Sequence, residues 1–195
     1  MKHRTLLLSV LLGVSFVFSE ETVALMPSLA EAEQLISEGE WVKAAKVCDA
    51  IAKKETGKVR WVALVLGADA RTRLGETKRT LETVNLVIRE AQGHIHDSAV
   101  VEAFSLKHQI LFREKAKPSV RNALLKTAVS RLGWTPGVSR LHETEANFLL
   151  REGNADAAWC LYSEERMKPS ESGENIYRVL EALYSKNRCR FRIIR

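Results

Sequence analysis

Glu31-Ala32-Glu33-Gln34-Leu35-Ile36-Ser37-Glu38-Gly39 recurs further along the chain as Glu145-Ala146-Asn147-Phe148-Leu149-Leu150-Arg151-Glu152-Gly153, with five identities in nine positions and an Ile/Leu exchange. Self-similarity at a separation of tens of residues is what helical repeat architectures write into a sequence. Each copy ends an apolar stripe at a glycine, and a second stripe follows: Leu29, Ala32, Leu35 and Ile36 precede Gly39, and Trp41, Ala44, Ala45, Cys48 and Ile51 come after it. Steps of three and four residues put these side chains on one face of a helix.

The pattern appears again from Trp61 to Leu74, then Gly75, then Leu81, Val84, Val87 and Ile88. Gly39 and Gly75 lie 36 residues apart and Gly153 a further 78, which leaves room for one more unit. The segment Lys115 to Pro118 occupies that slot, without a glycine in its turn. All four prolines, Pro27, Pro118, Pro136 and Pro169, fall at expected helix ends, where the missing amide donor costs least. The spacing predicts an all-α chain with helices over roughly 28–38, 41–54, 59–74, 77–92, 97–114, 118–132, 138–152, 155–167 and 173–186. No linker is long enough, or rich enough in Gly, Pro or Ser, to part residues 26–186 into two domains.

The turns Gly39-Glu40-Trp41, Gly75-Glu76-Thr77 and Gly153-Asn154-Ala155, the small residues Ala32, Ala68 and Ala146 in first helices, and Ala44, Thr80 and Ala158 in second helices carry a resemblance to the tetratricopeptide repeat family. Cys48, Val84 and Tyr162 stand where that family places a large apolar or aromatic residue. The family's first-helix aromatic is replaced by Leu35, Arg71 and Leu149, its unit-ending proline is met only approximately by Pro169, and the spacing exceeds the usual ~34 residues. The resemblance spans about residues 26 to 170. It implies a right-handed solenoid of four antiparallel helix pairs closed by a ninth helix, with a concave face built by first helices that binds a protein or peptide. On that face it implies Asp69, Thr72 and Arg73 in the second unit and Arg140, Glu143, Asn147 and Arg151 in the fourth. Arg140, Asn147 and Arg151, at spacings of seven and four, are placed to grip a carboxylate, and a solvated helix face explains them equally well.

Outward from the repeats, Lys2, His3 and Arg4 lead into an apolar run from Leu6 to Phe18, the profile of an export signal and too short to span a membrane as a helix. Residues 1–19 therefore read as a signal peptide, cut after Ser19 or as late as Ala24 or Ala30. The whole 195-residue chain carries a net charge of +6, yet the last ten residues hold Lys186, Arg188, Arg190, Arg192 and Arg195 and no acid. Between Glu20 and Ser185 there are 23 basic and 24 acidic residues, so the body's charge gives no support to nucleic-acid binding. The tail 187–195 alternates basic and apolar residues and suits weak contact with an anionic surface or simple fraying.

No catalytic constellation stands out. His94-Ile95-His96 with Asp97 is a weak metal signal, and Asp97 with Ser98 also reads as the N-cap of the following helix. There is no glycine-rich phosphate loop and no nucleophile elbow, so neither a cofactor nor a metal is expected. Trp41, Trp61, Trp134 and Trp159 tempt a stacking role, but at least three read as packing residues. Cys48 lies on an apolar stripe; if any disulfide forms in an exported chain, Cys160 with Cys189 is the pairing that adjacent repeats allow. The resulting expectation is a non-catalytic, exported scaffold in the cell envelope. The alternative is a subunit of an enzyme acting on cell-wall polymer, which carboxylates sharing a pocket would mark; in a third reading the ninth helix and tail cap the solenoid or mediate self-association.

Overall fold

The structure, a computed structural model, describes residues 28–164; the signal segment, the ninth helix and the basic tail lie outside them. The described residues form eight α-helices: α1 Leu29–Ser37, α2 Trp41–Lys54, α3 Gly57–Arg73, α4 Thr77–Glu90, α5 Asp97–Arg113, α6 Pro118–Leu132, α7 Pro136–Arg151 and α8 Ala155–Glu164. No strand occurs among them. One 3-10 turn, His94–His96, links α4 to α5. The helix ends fall close to those expected, and α6 and α7 each open on a proline, Pro118 and Pro136, whose lost amide costs least in a first turn. Asp97 and Ser98 do not cap α5, however. His96 holds the N-cap position, and Asp97 sits inside the first turn with its carboxylate 3.2 Å from His94 Nδ1.

One backbone device ends every first helix. After α1, Gly39 has φ +78°, its N–H donates to Ile36 and the N–H of Glu40 donates to Leu35. These two reversed bonds satisfy carbonyls that the helix itself leaves unpaired, and they require a left-handed residue. The same pair of bonds closes α3 at Gly75 and α7 at Gly153, both with φ +77°. It also closes α5, where Lys115 donates to Phe112 and Ala116 to Leu111, with Lys115 at φ +54°. The unit that lacks a glycine therefore keeps the turn and carries the steric cost of a Cβ there. Its next helix starts one residue later than in the other units, at Pro118.

The small residues expected between consecutive helices, Ala32, Ala44, Ala68, Thr80, Ala146 and Ala158, are all fully buried. Thr80 Oγ1 lies 3.4 Å from the Ala68 carbonyl, a direct measure of how closely α4 approaches α3. Each helix packs on the next in sequence, and α1 also touches α3, α3 touches α5, and α5 touches α7. No comparable close packing joins α2 to α4, α4 to α6 or α6 to α8 among the described residues, although the Asp49–Arg79 ion pair bridges α2 and α4. First helices thus form a continuous row. At its far end α7 presses so closely on α5 that a Cβ at Gly137 would fall 2.6 Å from Val101 Cγ1. An apolar core runs unbroken from Trp61 through Phe104, Leu125 and Leu149 to Leu161, with Trp159 packed at its edge. Ala44, Ala45 and Ala70, with Leu35, Ile36 and Trp41 around them, fill a smaller cluster at the amino-terminal end.

Cys48 is buried between α2 and α3, and its thiol is pushed up to about 11, burial raising it more than the nearby Arg71 guanidinium draws it down. Since the thiolate is the reactive form, a maleimide reagent at pH 8 leaves Cys48 unmodified in the folded chain and takes it after guanidinium unfolding, as read by mass spectrometry. Replacing Lys115 with glycine removes the left-handed strain, so the variant gains about 1 kcal/mol in urea unfolding; Gly75→Ala, at the equivalent place, loses about as much.

Candidate functional site

Two features compete for the role of a functional site: a buried cluster of charges in the third and fourth units, and the polar surface of the first-helix row. The cluster is built from register. His108 lies seven residues before the turn residue Lys115, as Ala32, Ala68 and Ala146 lie before their glycines, and Arg121 is the fourth residue of α6, as Ala44, Thr80 and Ala158 are of their helices. The crossing that is lined with small residues in the other three units therefore holds a histidine and an arginine, both fully buried.

Arg121 uses its planar fork of donors against two carboxylates from α7 and its cap. Nε donates to Glu145 Oε1 and Oε2 at 3.1 and 2.9 Å, Nη1 to Glu152 Oε1 at 3.0 Å and to the Ala116 carbonyl at 2.8 Å, and Nη2 to Glu152 Oε2 at 2.7 Å. Glu145 is fully buried and its Oε2 also lies 2.7 Å from His108 Nε2. Phe148 stacks on Phe112 at 3.7 Å and on His108 at 5.3 Å, and the Arg121 guanidinium lies 5.4 Å from the Phe112 ring centre. Burial alone would lower the Arg121 pKa; hydrogen bonds and charge from Glu152 and Glu145 outweigh it, and the net shift is upward. His108 Nδ1 faces no hydrogen-bond partner among the described residues, and Nε2 is the ring nitrogen that meets Glu145. With Phe112 and Phe148 stacked beside it and Glu152 at its exposed edge, the cluster fastens α6 and α5 to α7.

A smaller ionic group stands in the second unit. Arg71, buried at the position of the resembled family's aromatic, donates to Asp49 on α2, and Asp49 also accepts from Arg79 on α4 at 3.0 Å. One carboxylate thus joins three helices.

The residues expected on the binding face divide. Arg73, Arg140 and Arg151 are exposed, and Asp69 and Asn147 are half-buried on the same helices. Asp69 lies 3.8 Å from Arg73, whose guanidinium is also 5.4 Å from the Trp41 ring centre. Thr72 and Glu143 do not point outward. Thr72 is buried and its hydroxyl donates to the Ala68 carbonyl at 2.9 Å, while Glu143 is only 4% exposed. A helix in a row has neighbours on two sides, so its solvent-facing strip is narrower than a single-helix wheel suggests. Sequence reasoning missed the contribution of α5: Gln109, half-buried, and Arg113, exposed, occupy the register positions of Asn147 and Arg151.

Elsewhere, a cleft of about 420 Å³ opens between the ends of α4 and α6 and the start of α5, lined by Gln92, Gly93, His94, Asp97 and Arg131 among others. His94 is fully exposed and lies 3.2 Å from the Asp97 carboxylate, and Arg131 donates to the Ala91 carbonyl. Among the described residues no group of three or more His, Cys, Asp or Glu side chains is placed to hold a metal ion, and no helix is long and apolar enough to cross a membrane. Trp61 is core, Trp41 and Trp159 pack against the clusters, and Trp134 is exposed, 4.8 Å from the His142 ring. Cys160 is exposed on α8, and the pairing expected with Cys189 lies outside the described residues. No family model matches the chain, and neither a curated protein nor a solved structure matches it.

Removing one partner of a fully buried ion pair leaves an uncompensated charge. Arg121→Met is expected to cost about 3–5 kcal/mol in urea unfolding at pH 7. Adding Glu145→Gln removes the stranded charge, so the double variant is more stable than Arg121→Met alone; simple additivity of the two losses would show that the carboxylate is not held by this arginine.

Proposed function

We propose that the chain is an exported interaction scaffold of the tetratricopeptide kind, without catalysis of its own, whose first-helix face binds an extended protein or peptide segment in the cell envelope. In this reading the four helix pairs are antiparallel and stack as a right-handed solenoid, residues 1–19 direct export, and α1, α3, α5 and α7 line the concave side. The observation that carries it is the row of close packing from α1 to α3 to α5 to α7, which among the described residues α2, α4, α6 and α8 do not match, α2 and α4 being bridged only by the Asp49–Arg79 side-chain pair. A partner laid across the units along that row meets every first helix in turn. The four equivalent left-handed turns support a repeated unit, the third included. Glu145, buried, and Glu152, at the exposed edge of the cluster, are both spent on Arg121, and α5 and α7 carry Gln109, Arg113, Asn147 and Arg151 at the matching register.

A photo-crosslinking residue placed at Gln109 or Asn147, on the first-helix row, is expected to trap a defined partner from native envelope extract. The same residue at Lys126, exposed on α6, traps none. Equal capture from both positions, or from α6 alone, would remove the first-helix face as the binding surface.

A further inference from the structure

We infer that Glu31 and Glu38, on the open side of α1, form a two-carboxylate receptor for an arginine, and that its occupant is the chain's own basic tail, residues 187–195. Within the row, a first helix meets the unit before it through one register position. The residue eight places before the left-handed turn residue reaches back to the preceding second helix: Lys107 on α5 donates to Asn85 on α4 at 2.8 Å, and Glu145 on α7 accepts from Arg121 Nε on α6 at 2.9 Å. One place before the turn residue, Glu152 brings a second carboxylate to the same guanidinium, from the exposed edge, at 2.7 Å. Two acids seven residues apart thus converge on one arginine.

The first unit carries the same pair. Glu31 and Glu38 stand eight and one places before Gly39, as Glu145 and Glu152 stand before Gly153. α1 packs on α2 and α3, and among the described residues no unit lies on its other side. Both acids are exposed, Glu38 accepts from the Gln34 amide at 2.8 Å, and neither enters an ion pair among the described residues. Gln34 stands where α7 has Phe148, the ring that stacks on Phe112 of the preceding unit. The open side of α1 therefore lacks the apolar group that docks a further unit and keeps the two acceptors that, on α7, hold a guanidinium.

Charge points to the tail as the source of that guanidinium. Residues 28–40 hold four acids, Glu31, Glu33, Glu38 and Glu40, and no base, whereas residues 186–195 hold five bases and no acid. Glu40 is already paired, with Lys43 at 3.2 Å, which leaves the Glu31–Glu38 side as the acceptor. Reach favours the same molecule over a second copy. Three steps of about 8–10 Å separate α7 from α1 along the row, while the 24 residues from Glu164 to Arg188 extend to as much as about 80 Å. A segment so tethered acts at an effective concentration on the order of millimolar, above that of a second copy in dilute solution.

The test is fluorescence anisotropy at low salt with a labelled peptide of residues 186–195 bearing Cys189→Ser. Two full-length hosts receive it: the native chain, and a chain whose four tail arginines are replaced by glutamine. The second host is expected to bind the peptide at least about fivefold more tightly, because in the native chain the tethered tail competes. In that second host, Glu31→Gln with Glu38→Gln weakens the peptide about tenfold, while Glu33→Gln with Glu40→Gln, an equal loss of charge, changes it by less than about twofold. A peptide with lysine for arginine binds at least about threefold more weakly, since an ammonium cannot fork between two carboxylates. Circular dichroism melts check that every variant folds. Equal effects from the two glutamate pairs reduce the contact to general charge attraction and overturn the receptor. Equal binding by the two hosts, or binding by neither, overturns occupancy by the tail. A mass that grows with concentration in light scattering of the native chain, and not of the tail variant, assigns the tail to a second copy and overturns the intramolecular contact.

Discussion

Everything in this chain is hung on a two-bond turn in which one residue is left-handed. At Gly39, Gly75, Lys115 and Gly153 the last carbonyls of a first helix are satisfied by amides that follow it, and the chain leaves in a set direction. Because the turn is short and its geometry repeated, each second helix begins two or three residues later against its own first helix. Small residues then decide how near the two come. Ala32, Ala44, Ala68, Thr80, Ala146 and Ala158 are all fully buried, and Thr80 reaches the Ala68 backbone.

The third unit solves the same problem differently. Its turn tolerates a lysine in a glycine conformation, and its crossing holds His108 and Arg121 in place of small residues. A guanidinium at such a place is tenable only because Glu145 and Glu152 arrive from the next unit to meet its donors, and because Phe112 and Phe148 close over it. The third unit is therefore not self-sufficient: its ionic core is completed by the fourth. The Arg71–Asp49–Arg79 group does related work at the other end, joining α3 to α2 and α4. Directional polar bonds between units fix register in a way that an all-apolar stack would leave looser.

The periodic stripes, the glycines and the prolines were enough to place seven helices, and the start of an eighth, to within about two residues, since each is a local signal that reports local backbone geometry. The third turn was legible only as a gap in the glycine pattern, because a left-handed lysine has no sequence signature. His108 and Arg121 were legible in principle: aligning the third unit on Lys115 puts two large ionisable residues at two positions that are small elsewhere, one on each helix of the pair. What no alignment supplies is their partner. Glu145 belongs to the stretch whose repetition revealed the fold, and its counterpart Glu31 is exposed on α1. The same letter is a surface acid in the first unit and a fully buried ion in the fourth.

Sequence by itself thus determined the helical class, the approximate helix ends and the near-neutral charge of residues 20–185, all of which follow from spacing and composition. Tertiary structure alone decided which charges are inside. Thr72 and Glu143 turn inward because a first helix is flanked by others on both sides, and Arg113 joins the outward row because its unit keeps the common turn. Burial of a charge depends on whether an opposite charge from a distant segment reaches it within hydrogen-bond distance. That is a property of packing between units, and periodicity within one unit does not contain it.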